Sequence, residues 1–226
     1  MFTIAYNKRY AFLLFSILLL LLLHPLVADL SQGQIAAGIF MSTVFISAAC
    51  AIIRNRWQVV LVLGIGLPTL VIGWLHRMDI FESWSGLLSS IFSCIFFTYV
   101  TLFVLEGVLG EGQDEVTRDR VIGAISGYML LGLTWASYYT LTETLIPNAF
   151  TNVEYLHGND PDLMDFTYFS FVTLTTLGYG DIAPKSLFAR TLVVLEAITG
   201  VMYVAILIAS FANSFNLGRK KHSGKG

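Results

Sequence analysis

The residues of this chain best suited to chemistry lie in the run Met164–Pro184, MDFTYFSFVTLTTLGYGDIAP, and at its centre in Thr176-Leu177-Gly178-Tyr179-Gly180-Asp181. Glycines at alternate positions open backbone dihedrals that are closed to other L-residues. Successive carbonyls can then all be aimed to one side instead of alternating as in a strand. A row of aligned carbonyl oxygens is a ligand for a cation. One such strand offers only one side of a coordination cage, and replacing a hydration shell takes oxygens from all around the ion. Several copies must therefore meet on an axis, and with one such segment per chain four subunits are expected.

Such a turn has to be held at depth by other elements. Of the 226 residues 56% are hydrophobic and 12% charged, against roughly 45–50% and about 25% in soluble domains, which excludes a soluble domain. The charge-free stretches Ala11–Ala28, Gln34–Ile53, Trp57–Leu75 and Trp84–Leu105 each match the ~17–25 residues that cross a bilayer as helix. Two more spans are expected over Val121–Ile146 and Leu187–Phe215. The stretch from Met164 to about Thr175 is apolar and aromatic, but at ~1.5 Å rise per residue it is too short to cross. It must enter and return. Non-helical backbone at membrane depth survives only where it is buried in protein or lines a water-filled cavity, so the segment is expected to border an aqueous path.

Charge placement gives direction. With the N-terminus inside, Lys8, Arg9, Arg54, Arg56, Arg118, Arg120, Arg219, Lys220, Lys221 and Lys225 fall on the cytoplasmic side, and Arg77, Lys185 and Arg190 on the other; the reverse orientation would violate the positive-inside rule. Glu143, Glu154, Asp160, Asp162, Asp165 and Asp181 lie between the last two spans, where carboxylates concentrate cations. Cys50 and Cys94 sit in apolar segments, so no disulfide framework or metal cluster is expected. A net charge of −2 with no basic domain sets nucleic acid aside. Lys8 and Arg9 ahead of Ala11–Leu23 could begin a cleaved signal, but Leu26 and Val27 before Ala28 make a poor cleavage site, and the stretch is read as a retained first helix.

Thr173-Leu174-Thr175-Thr176-Leu177-Gly178-Tyr179-Gly180-Asp181 resembles the pore loop of the tetrameric potassium channels, close to the TxTTxGYGD form of voltage-gated and bacterial members. The resemblance extends less tightly over Val121–Phe215; the first four spans agree with a six-span channel in number and topology only. It implies that the carbonyls of Thr176, Leu177, Gly178 and Tyr179, with the Thr176 hydroxyl, line the ion sites, and that Gly180 completes the filter. It implies supporting roles for Thr175 and Asp181, an aromatic cuff containing Tyr168 and Phe169, and a Glu143 that ties its helix to the loop after the filter. Leu177 stands where the family more often has Val or Ile. Val172 stands where certain bacterial members carry a glutamate behind the filter, so Asp181 needs another partner.

In the last span Gly200 is read as a hinge, with close helix packing as the alternative. Helical spacing from it places Val201, Val204 and Ile208 on the cavity side, a candidate gate by dewetting. Glu196, an acid inside a span, requires a partner or a water path. It could hydrogen-bond the short helix before the filter, or pair with Arg190 or a hydroxyl as structural glue, and spacing does not choose. The fourth span, Trp84–Leu109, contains no arginine, whereas a steep voltage sensor needs about 3–4 gating charges per subunit.

The expected architecture is an all-helical integral membrane protein, six transmembrane helices plus a re-entrant pore helix and selectivity filter. Its parts are a four-helix domain over 1–110, a cytoplasmic linker over 111–120, a pore domain over 121–215 and a short basic tail over 216–226. The resemblance implies a homotetramer in the cell (inner) membrane, both termini cytoplasmic, that conducts potassium passively, is not steeply voltage-gated, is no enzyme and needs no cofactor beyond the permeant ion. Two rivals stay open: a non-conducting subunit that modulates a partner channel, and a coupled potassium transporter.

Overall fold

The computed structural model describes residues 9–28, 33–52, 56–78, 84–110, 117–153 and 161–223. Lys8, Arg54, Glu154, Asp160, Lys225, residues 111–116 of the linker and the side chains of the basic tail lie outside the described part. The elements in chain order are α1 (Arg9–Ala28), α2 (Gly33–Ile52), α3 (Arg56–Arg77), α4 (Ser85–Leu109), α5 (Arg118–Leu145), β1 (Phe150–Thr151), α6 (Leu163–Leu174), β2 (Ala183–Pro184) and α7 (Leu187–Ser223). Each apolar stretch of the sequence has become a helix. Among the described residues Trp57–Arg77, Ser85–Leu109, Arg118–Leu145 and Leu187–Ala212 are long and apolar enough to cross a membrane. Tyr10–Leu26, Gly38–Ala51 and Leu163–Leu174 are shorter apolar helical runs.

In lipid, helices associate through close packing and interhelical hydrogen bonds, since tails are as apolar as leucine. The seams here are built that way. Helix α5 is central, packed against α1, α4, α6 and α7. Against α4 it pairs Thr134 with Thr101 at 2.8 Å, Tyr138 with Thr98 at 2.8 Å, and the Ser137 carbonyl with the Cys94 thiol at 3.1 Å. Against α1 the Ser126 hydroxyl donates to the Tyr10 carbonyl at 3.1 Å, and Gly123 is seated so that an added Cβ would lie 3.0 Å from the Tyr10 ring. Within the first four helices, Ser16 meets Ser47 at 2.5 Å and the Trp74 indole donates to Ser42 at 3.0 Å. Phe45, Phe96 and Phe97 fill the space between α2 and α4, with ring centroids 4.5 to 5.7 Å apart.

Among the described residues the one strand pair is short but well placed. β1 and β2 run antiparallel, with Phe150 opposite Pro184 and Thr151 opposite Ala183. This stitches the chain leaving α5 to the chain entering α7, with α6 and its following turn suspended between them.

Candidate functional site

Helix α6 starts at a capping box: the Asp162 side chain accepts from the backbone of the first turn, and the Asp162 N–H donates to Asp165 Oδ2 at 2.8 Å. The D-x-x-D spacing is a sequence signature of a helix start. Asp162 also receives Arg77 of α3 at 3.0 Å, the pair being about one-fifth exposed or less on each side. The four-helix block thus grips the start of α6, a link that charge placement alone did not disclose.

The other end of α6 is a Schellman ending. The Leu177 N–H donates to the Val172 carbonyl at 2.9 Å and the Thr176 N–H to the Thr173 carbonyl at 2.9 Å. That motif needs a left-handed residue, and Thr176 takes it at φ 60°. A non-glycine residue there costs roughly 1–2 kcal/mol, offset by the helix-end carbonyls it satisfies. The backbone repeats the left-handed turn at Gly178 (φ 57°) and Gly180 (φ 79°). Left-handed dihedrals therefore fall on every second residue, 176, 178 and 180, and the glycine spacing of the sequence accounts for two of the three.

The turn is uncovered in the single chain: residues 175–181 are all exposed, Leu177 by 55% and Tyr179 by 66%. Thr175 caps α6 and returns its hydroxyl to the Phe171 carbonyl at 2.7 Å. Asp181 finds its partner in Tyr168, whose hydroxyl donates to Oδ2 at 2.7 Å, while Oδ1 takes the Ile182 N–H at 3.0 Å. The Tyr168 bond holds the Asp181 carboxyl below its ordinary range, and the same bond pushes the Tyr168 phenol up to about 12. Asn152 anchors the same place from β1, its side-chain amide donating to the Asp181 carbonyl at 2.9 Å. The expected cuff divides. Tyr168 turns to the filter-like turn, whereas Phe169 is buried against Tyr139 and Phe150, centroids 5.2 and 5.5 Å away, because adjacent helical residues point about 100° apart.

Glu143 accepts from the backbone of Asn148 at 2.7 Å and Phe150 at 3.1 Å. Its hold is thus on the chain leading into β1, which the β1–β2 pairing and the Ala149 carbonyl, accepting from Lys185 and Ser186, join to the segment after the turn. Glu196 is fully buried and meets α6 and α5 at once, accepting the Tyr139 hydroxyl and lying 2.5 Å from the Ser170 hydroxyl. Arg190 directs its guanidinium to the Pro184 carbonyl at 3.3 Å instead.

At Gly200 the structure shows the close-packing side of the two readings. Helix α7 runs through it unbroken, and the position is a close approach: a Cβ there would sit 2.5 Å from the Leu174 carbonyl oxygen and 3.0 Å from Leu174 Cδ1. The absent side chain lets α7 press against the last turn of α6, whose Leu174 carbonyl also accepts the Tyr128 hydroxyl at 3.2 Å. Val201, Val204 and Ile208 are exposed on α7. Sequence reading gave Tyr139, Ser170, Tyr128 and Asn152 no part in this site; only Asp162 and Asp165 carried a readable signal, the capping spacing.

Residues 128–216, which run from α5 through α6 and the turn into α7, match the family described as "Ion channel". A 100-residue stretch is 47% identical to "Probable potassium channel protein 2" of Methanocaldococcus jannaschii, covering 43% of this chain and 24% of that protein. The match thus spans about a quarter of that relative's length. No solved structure matches. Together these findings make residues 128–216 similar to ion channels, and a 100-residue stretch similar to a probable potassium channel.

Proposed function

We propose that the chain is one subunit of a potassium-selective channel, a homotetramer conducting passively through four copies of the turn 176–180. The carbonyls of Thr176, Leu177, Gly178 and Tyr179, with the Thr176 hydroxyl, replace the water around a dehydrated potassium ion, and repulsion between ions in neighbouring sites keeps throughput fast. Six helices, α1–α5 and α7, cross the cell (inner) membrane with both termini cytoplasmic, and α6 enters and returns. The partial negative charge at the C-terminal end of α6 favours a cation beneath the turn. Val201, Val204 and Ile208 line an apolar cavity on that path.

The observation that carries this reading is the left-handed backbone at residues 176, 178 and 180. Left-handed residues alternating with ordinary ones let consecutive carbonyls share one direction, and while Thr176 also closes the end of α6, no helix ending calls for the same turn again at Gly180. An open apolar cleft of about 580 Å³ flanks it, lined by Tyr168, Val172, Thr175 and Leu177 among others, a flank that a neighbouring subunit would close.

Flux in liposomes containing the pure protein tests the proposal. Expected is potassium-selective passive flux, blocked by barium, from particles whose cross-linked mass is four chains. Uptake that depends on protons or sodium would make it a coupled transporter, and silence of the pure protein would make it a modulatory subunit.

A further inference from the structure

Behind α6, three oxygen–oxygen contacts have only two hydroxyl hydrogens between them. The Tyr139 hydroxyl bonds to Glu196 Oε2, and Ser170 Oγ lies 2.5 Å from Glu196 Oε1 and 2.7 Å from the Gly132 carbonyl oxygen. Tyr139 brings one hydrogen and Ser170 one; a carbonyl and a carboxylate have none to give. With Glu196 ionised, one contact would press two lone pairs together at hydrogen-bond distance.

We infer that Glu196 is a neutral carboxylic acid that acts as a positioning residue, closing a one-way chain of hydrogen bonds across three helices. Tyr139 of α5 donates to Oε2, the Glu196 hydroxyl donates to Ser170 Oγ of α6, and Ser170 donates back to the Gly132 carbonyl of α5. The surroundings agree. Glu196 is wholly buried; the groups facing it are Tyr139 and, at longer range, Tyr128 from α5 and Ser170 from α6, while Arg190 on its own helix is turned to Pro184. A buried carboxylate without a cation is far costlier than a buried acid with every hydrogen placed. One turn further along α7, Gly200 meets the Leu174 carbonyl. The chain and that contact fix α7 to α6 at successive turns, so the base of the filter-like turn is held where the inner helix puts it.

The functional part of this inference rests on the proposed conduction site; the protonation itself does not. The direct test is the infrared difference spectrum of the full-length protein in lipid at pH 7, wild type minus Glu196→Gln. A protonated-carboxyl C=O band, shifting in heavy water and altered in Ser170→Ala, is expected; a difference confined to carboxylate bands would overturn the inference whether or not the protein conducts. In potassium flux, Glu196→Ala and Ser170→Ala should each lose tenfold or more. Glu196→Gln, whose amide accepts from Tyr139 and donates to Ser170, should recover most of that loss. A Gln variant as impaired as the Ala variant would also overturn it, because a neutral side chain that accepts from Tyr139 and donates to Ser170 would then not suffice.

Discussion

Replacing Gly200 with alanine separates a hinge from a packing contact. The new Cβ would stand 2.5 Å from a backbone oxygen, Leu174 O, where ordinary contact begins near 3.4 Å. Helix α7 and the end of α6 must therefore part by roughly an ångström, at the ~1–3 kcal/mol typical of overpacking, in every subunit. Neither side can yield freely. Helix α7 is held one turn away through Glu196 and Ser170, and Leu174 immediately precedes the cap at Thr175 and the left-handed Thr176. If half of a ~2 kcal/mol strain reaches the turn, the ion sites change by about 1 kcal/mol per subunit, and two subunits together, at ~2 kcal/mol, already exceed tenfold in selectivity or rate. Potassium, rubidium and sodium fluxes into liposomes, with the thermal midpoint of the oligomer, are the assay. Expected is a lowered midpoint together with a fall of more than about tenfold in potassium flux or in the potassium-to-sodium ratio. A variant with wild-type midpoint and wild-type ion ratios, altered only in open probability, would refute the packing argument and restore the hinge.

Other perturbations follow from the same geometry. Gly178→Ala meets no neighbour in the chain, yet at φ 57° it adds ~1–2 kcal/mol per subunit; selective flux should be abolished, as measured by rubidium uptake. Tyr168→Phe removes the bond that lowers the Asp181 carboxyl. Because a depressed carboxylate contributes stability above its ordinary value of 3.8 and loses it only as pH falls through the lower, folded value, the variant should lose flux at a higher pH than wild type during acid titration of the outer solution. At the alkaline end the contact should persist past pH 10 and fail near 12, where the raised Tyr168 phenol ionises. Arg77→Met should lower thermal stability by about 1 kcal/mol, with little further loss when Asp162→Asn is added, which a double-mutant cycle will show. Patch recordings should give a shallow conductance–voltage curve, since α4 carries no arginine.

The helices were legible because bilayer thickness imposes a length on apolar stretches: each of the six stretches is helical, and among the described residues α3, α4, α5 and α7 have the length and apolarity to cross. The filter-like turn was legible because glycine spacing is a backbone instruction, although the left-handed Thr176 belongs to the helix ending and shows only in the hydrogen bonds to Val172 and Thr173. Partnerships were not legible. Whether Glu196 faced Arg190, a hydroxyl or α6 depended on which sides of three helices met, and Tyr139 lies 57 residues away. Gly200 offered two readings because a sequence does not say which backbone crosses it. Phe169 was assigned with Tyr168 as a neighbouring pair, but in a helix neighbours part company. Arg77 read only as a cation on one side of the membrane until Asp162 was placed beside it.

The burial pattern bears on assembly independently of any motif. Along α5, 61% of the membrane-length window is buried inside the chain, along α7 only 17%. An apolar helix can show such a face to lipid, so α7 alone decides nothing. The turn decides more. Residues 175–181 are exposed, and their carbonyls lack the ladder partners that a helix or a closed barrel supplies, so lipid is not a permitted neighbour. Either bulk water or protein must cover them. Leu177 and Tyr179, apolar and more than half exposed, make a wholly watery surround costly, while the carbonyls make a wholly apolar one costly too. A symmetric assembly resolves both demands at once, with side chains packed against the flank of the adjacent copy and oxygens turned to a shared axis. The proposed tetramer is thus what the turn's own chemistry asks of its surroundings.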